Sequence, residues 1–166
     1  MNALLQLMIS ITLGKKGPQD IPYSSPLLIV VLAVYLLTGL TITTLQSPWH
    51  EAIIQVLVEA LMLAAFASAL LVIHKKRVRL VQTLSALFGT DVVLTLPSIP
   101  LLVWLQQYPE AHGAFLALFT LMLWHVLVVG HILRHALSTN AIVGMVWSFC
   151  YTFINFQLMM SWFPGE

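Results

Sequence analysis

The stretch at 27–45 reads LLIVVLAVYLLTGLTITTL and carries no charge. A helix needs about 20 predominantly apolar residues to cross the hydrocarbon core of a bilayer. Four more stretches of this kind follow, at about 51–73, 81–105, 113–133 and 141–162. Short polar segments separate them: QSPWH, the basic run HKKRVR, QQYPEAHG, and Ser138, Thr139 and Asn140, whose side chains suit a helix N-cap. The pattern predicts an all-α integral membrane protein, a single membrane domain of five transmembrane helices. Composition agrees: 60% of the residues are hydrophobic and 8% charged, against about 25% charged in soluble domains. A net charge of +1 gives no global field for nucleic acid.

Ahead of the first span, residues 3–13 (ALLQLMISITL) are apolar but too short to cross. The expectation is a short interfacial amphipathic helix lying on the membrane, broken off by the glycines and prolines of GKKGPQDIPYSSP. Lys15 and Lys16 follow this apolar stretch, whereas a cleavable signal peptide has its charges before it. The single cysteine, Cys150, permits no internal disulfide and reads as a packing residue.

The basic residues orient the chain. Lys15, Lys16, Lys75, Lys76, Arg77, Arg79 and Arg134 fall in the N-terminal segment and in the second and fourth connections. With five spans these share one side, whereas four or six spans would divide them. The first and third connections and the C-terminus carry Glu51, Glu110 and Glu166 and no lysine or arginine. The positive-inside rule then predicts an inner-membrane protein with a cytoplasmic N-terminus and an external C-terminus. Trp49, Trp104, Tyr108 and Trp162 are expected at the outer interface, as an aromatic belt.

Ionisable groups inside a bilayer are costly and normally face the bundle interior or a water-filled cavity. At 1.5 Å per residue Glu59 lies roughly 12 Å below the outer interface, and Asp91 roughly 15 Å in from the opposite side. His125 reaches a comparable level, and Asn155 and Gln157 sit in the outer half of the last span. Two readings compete. Glu59, Asp91 and His125 are exchanging groups of a proton or cation relay, or each is a packing hydrogen bond between helices. The plainer packing reading is favoured by the sequence. Pro97 and Pro100 free the carbonyls of Val93 and Leu96. Such carbonyls suit a cation or water, although a plain kink, which membrane helices tolerate well, is the favoured reading.

His131 and His135 share one helical face and join His74 at the basic end. A metal site needs further ligands, and the neighbouring cations oppose one, so no metal and no cofactor are expected. Lys75, Lys76, Arg77 and Arg79 are candidates for binding anionic lipid headgroups, with a topology signal alone as the equal alternative. Ala64, Ala65, Ser68 and Ala69 have the small-residue spacing of a close helix contact, with Gly130 and the Arg134 region a weaker case. Dinucleotide, P-loop, metalloprotease and serine-hydrolase motifs are absent, and nothing places a base beside Ser98 or Cys150.

The segment LWHVLVVGHILRHALSTNAIVGMVW resembles the end of the Yip (Ypt/Rab-interacting protein) domain of small bacterial proteins. The resemblance rests on Trp124, Gly130, Arg134, His135, Leu137, Ser138 and Ala141. It implies the same plan: an amphipathic N-terminal helix, a proline-containing joint and five spans with the N-terminus inside. The Asp-Leu-Tyr-Gly-Pro signature of the eukaryotic members is absent, and Gly17 to Pro22 holds similar letters in another order. The resemblance thus implies architecture and carries no Rab-binding role and no catalytic residues. The expected function is a non-enzymatic scaffold or accessory subunit, working with the lipid bilayer and with other membrane proteins or further copies of itself. The alternative is a small proton or cation transporter or channel subunit that uses Glu59, Asp91 and His125.

Overall fold

The computed structural model describes residues 2–163. Glu166, expected beyond the last span, lies outside them. Six α-helices make up the fold: α1 Asn2–Thr12, α2 Ser25–Thr43, α3 Trp49–Ile73, α4 Leu80–Gln107, α5 His112–Leu137 and α6 Ala141–Trp162. No strand occurs among the described residues. The five helices from α2 to α6 are each long and apolar enough to cross a membrane.

Local chemistry fixes where these helices begin. Ser24 caps α2 by accepting a hydrogen bond from the Leu27 amide at 3.3 Å, with Pro26 in the first turn. Asn140 caps α6 in the same way through Val143, at 2.9 Å. At the basic end, α1, α3 and α5 all stop at a left-handed residue: Gly14 (φ 70°), Lys75 (φ 57°) and Ser138 (φ 56°). After each, an amide returns to a carbonyl of the last turn: Lys15 to Ser10, Lys76 to Leu71 and Thr139 to Arg134. This is the Schellman arrangement, which satisfies carbonyls a helix end otherwise leaves bare.

Helix α4 is the centre of the bundle and packs against α1, α2, α3 and α5. All eight residues from Thr83 to Thr90 are buried, a pattern that requires neighbours on every side. Helix α1 supplies one of them. A Cβ on Gly89 would stand 2.6 Å from the Met8 sulfur, so the glycine makes room for Met8. The N-terminal helix is therefore docked on the bundle, with Ile11 and Thr12 buried. The Trp124 indole N–H donates to the Thr12 carbonyl at 3.1 Å, and the His131 Nε2–H donates to the Lys16 carbonyl at 2.8 Å. The short N-terminal helix expected ahead of the first span is thus present, and it is held against α4 and α5. Prolines 97 and 100 lie within α4, which stays helical through both.

The closest approach of two helices is between α5 and α6. A Cβ on Gly144 would stand 2.5 Å from the Gly130 carbonyl oxygen, and the Ser148 hydroxyl donates to the Val126 carbonyl at 2.7 Å. The small residues of α3 do not play the part expected of them. Ala65 and Ala69 are exposed and Ala64 and Ser68 only half-buried. The buried stripe of α3 is Ala52, Val56, Ala60, Leu63, Ala67 and Leu70, which puts Ala65 and Ala69 on its back. Tyr35 is the one fully buried residue of α2; Leu27, Leu28, Val31, Leu32 and Leu36 are half-buried against the core, and Ile29, Val30, Val34 and Leu37 face outward.

The two ends of the bundle differ in charge. The chain reversals carry all seven lysines and arginines to one end, where Gln82 donates to the Ile21 carbonyl at 2.6 Å. Exposed Trp49, Trp104, Tyr108 and Trp162 ring the other end, where Gln106 donates to the Leu45 carbonyl and ties α4 to the end of α2.

Candidate functional site in the bundle interior

Glu59, Asp91, His125 and Asn155 line one interior cavity of about 210 Å³, together with Tyr35, Tyr151 and Thr152. Every spanning helix contributes: α2 gives Tyr35, α3 Glu59, α4 Asp91, α5 His125, and α6 the remaining three. Each group lies near the middle of its helix, so the cavity sits at mid-depth. It has room for several waters at roughly 30 Å³ each.

The most direct contact joins α4 to α5. His125 Nε2 stands 3.1 Å from Asp91 Oδ1, with both side chains about three-quarters buried (29% and 23% exposed). Two aromatic pairs hold the tyrosines: Tyr35 packs on Phe88 with ring centres 4.9 Å apart, and Tyr151 on Phe66 at 5.3 Å. Asn155 Oδ1 and Thr152 Oγ1 are buried and have no hydrogen-bond partner among the described residues. Polar atoms left this way are costly unless something else bonds them. Two of them facing one polar cavity are the mark of a hydrated or ligand-bearing space.

A second cavity, of about 230 Å³, shares the same pair. It is lined by Asp91, Thr95, Ser98 and His125 and by the apolar side chains of Leu94, Leu118, Leu121 and Met122. Asp91 and His125 thus form a wall common to both spaces. The Ser98 hydroxyl donates to the Thr95 carbonyl at 2.7 Å, so the proline-containing half of α4 faces this outer cavity.

The residues singled out from the sequence fall into distinct places. Glu59, Asp91, His125 and Asn155 are brought together, while Gln157 is exposed and outside the cavity. Tyr35, Tyr151 and Thr152 belong to the site and were not singled out. Tyrosine in the middle of a span, away from the interfaces where it usually sits, was the available signal. Of the three basic-end histidines, His74 stands apart: it donates to the Leu70 carbonyl at 2.9 Å and packs edge-on against Trp147. His131 and His135 meet edge to face, with ring centres 4.7 Å apart and ring planes at 65°. Lys75 and Arg77 are exposed in their connection, Lys76 is half-buried, and Arg79 is turned onto the end of α5, where its Nη1 donates to the His135 carbonyl at 3.0 Å.

Fold and cavity together define a small all-α membrane protein with an ionisable centre inside the bundle. Comparison with protein-family models, with curated proteins and with solved structures finds no match.

Proposed function

We propose that the protein is a small transporter or channel subunit that moves protons or a small cation, with Glu59, Asp91 and His125 as the exchanging groups. One observation carries the reading: all five spanning helices present a polar side chain to the same mid-depth cavity. Two carboxyls and an imidazole at one level supply both the acidic partners and the acceptor that a transfer needs. Packing hydrogen bonds alone need only pairs of helices and no unpartnered Asn155 and Thr152.

The accompanying orientation has the basic end in the cytoplasm and the membrane an inner one. Its support is the gathering of all seven lysines and arginines at that end. Kinship with Yip-domain proteins is proposed for the architecture alone. It draws on Gly130, Arg134 and Ser138, which meet α6 and close α5. An accessory role within a larger membrane complex is compatible with transport and is favoured by the short connections, which hold no domain of their own.

The test is proton flux into proteoliposomes carrying a pH-sensitive dye. Wild-type protein should conduct, and Glu59→Gln, Asp91→Asn and His125→Gln should each slow the flux by tenfold or more, on the scale of losing a proton-transfer group. Flux equal to that of empty liposomes, or unchanged in all three variants, sinks the reading.

A further inference from the structure

The bundle has another polar cavity, at its basic end. It measures about 370 Å³ and is lined by Gln19, Arg79, Arg134, His135, Ser138 and Thr139. We propose that it binds a phosphate group, presented by an anionic lipid headgroup or by free phosphate.

The lining has the chemistry of an anion site: two guanidinium groups, an imidazole, two hydroxyls and an amide, with no carboxylate among them. The planar fork of arginine matches the oxygens of a phosphate. Arg79 is fixed as one wall, since its Nη1 donates to the carbonyls of His135 and Ala136 at 3.0 and 3.2 Å and to the Ser138 hydroxyl at 2.7 Å. Arg134 is the group left over. Its Nε is buried without a partner, as is Thr139 Oγ1, and no ion pair involves a lysine or arginine among the described residues. Helix α6 pins its stem, because a Cβ on Gly144 would lie 2.7 Å from the Arg134 Cβ. Asp20 adjoins Gln19 in sequence, but its carboxylate accepts the Gly17 amide at 2.8 Å. An anion in the cleft supplies acceptors for both unpartnered groups. The exposed Lys75 and Arg77, by contrast, do not line this cavity.

The full chain, purified in detergent, is equilibrated with phosphatidylglycerol or with phosphatidylcholine and read by native mass spectrometry. In parallel it is titrated calorimetrically with inorganic phosphate. The expected result is preferential retention of phosphatidylglycerol, saturable phosphate heat, or both. Lipid retention alone assigns the site to a headgroup, and phosphate heat alone to the free anion. Arg134→Gln should weaken the interaction at least tenfold, the scale of one charge-assisted hydrogen bond, while a Lys75→Gln, Arg77→Gln double variant keeps it. If circular dichroism shows that Arg134→Gln does not fold, Thr139→Val takes its place, with a loss of about three- to tenfold for one hydroxyl. Binding of neither probe by the wild type overturns the proposal. So does equal binding by the folded Arg134 or Thr139 variant, or loss confined to the Lys75 and Arg77 variant.

Discussion

His125 and Asp91 meet across the α4–α5 contact at 3.1 Å, and the same two side chains line both the interior cavity and the one between α4 and α5. The pair is thus common to the two spaces. Its members are therefore expected to behave as one unit. In detergent, Asp91→Asn and His125→Gln should each lower thermal stability, followed by tryptophan fluorescence. The double variant should lose less than their sum, by about 0.5–3 kcal/mol. Strict additivity would show that the contact carries no energy.

The unpartnered hydroxyl of Thr152 separates activity from stability. Valine keeps its shape and removes the buried oxygen. Thr152→Val should leave stability unchanged or raise it by up to about 1 kcal/mol, since no bond to another part of the chain is lost with the oxygen. If cavity water takes part in transfer, the same variant slows proton flux. A substantial fall in melting temperature would mean that Thr152 has a structural partner.

At Gly144 the α5–α6 contact leaves no room for a Cβ. Gly144→Ala sets a Cβ against the Gly130 carbonyl at 2.5 Å, and backbone cannot step aside as a side chain does. A loss of at least about 1–3 kcal/mol is expected, the usual cost of overpacking. Gly39→Ala meets only the Val56 side chain, at 3.1 Å, and should cost clearly less. Comparable melting temperatures for the two variants would contradict this ranking.

Lys75 holds a left-handed conformation that suits glycine. Lys75→Gly should therefore stabilise the bundle or leave it unchanged, within about 1 kcal/mol, whereas Lys75→Val, β-branched at the same φ, should destabilise it. Equal effects of the two substitutions would show that the connection relaxes freely.

Orientation is open to direct labelling. Cys150 is the sole cysteine, so a Cys150→Ala background accepts new ones. Lys76→Cys should react with an impermeant maleimide only after the cell is opened, and Glu110→Cys from outside. The reverse pattern would invert the proposed topology.

Span positions were readable because lipid demands long apolar runs. The expected 27–45 and 113–133 compare with Ser25–Thr43 and His112–Leu137, with ends within about one helical turn of each other. Rotation of each helix about its own axis was not readable. In a bilayer the outward face is as apolar as the inward one, so periodicity does not say which side of α3 is buried. That is how Ala65 and Ala69 came to be read as a contact surface when Ala60, Leu63 and Ala67 are the buried ones. Glu59, Asp91 and His125 escaped the ambiguity because charge is costly in lipid and points inward. Tyr35 and Tyr151 did not escape it, since a tyrosine ring is at home in several settings. The docking of α1 was hidden for another reason: it depends on Gly89 making room for Met8, a contact between distant parts of the chain.

The close of α5 bears on bilayer thickness. Of its last carbonyls, Arg134 receives the Thr139 amide, His135 the Ser138 amide and Arg79, and Ala136 Arg79 again. These three carbonyls draw their hydrogen bonds from the chain itself. Where lipid is thicker than the bundle, the mismatch can be taken up here, with headgroups closing over the last turn of α5 while the aromatic ring at the far end keeps its level.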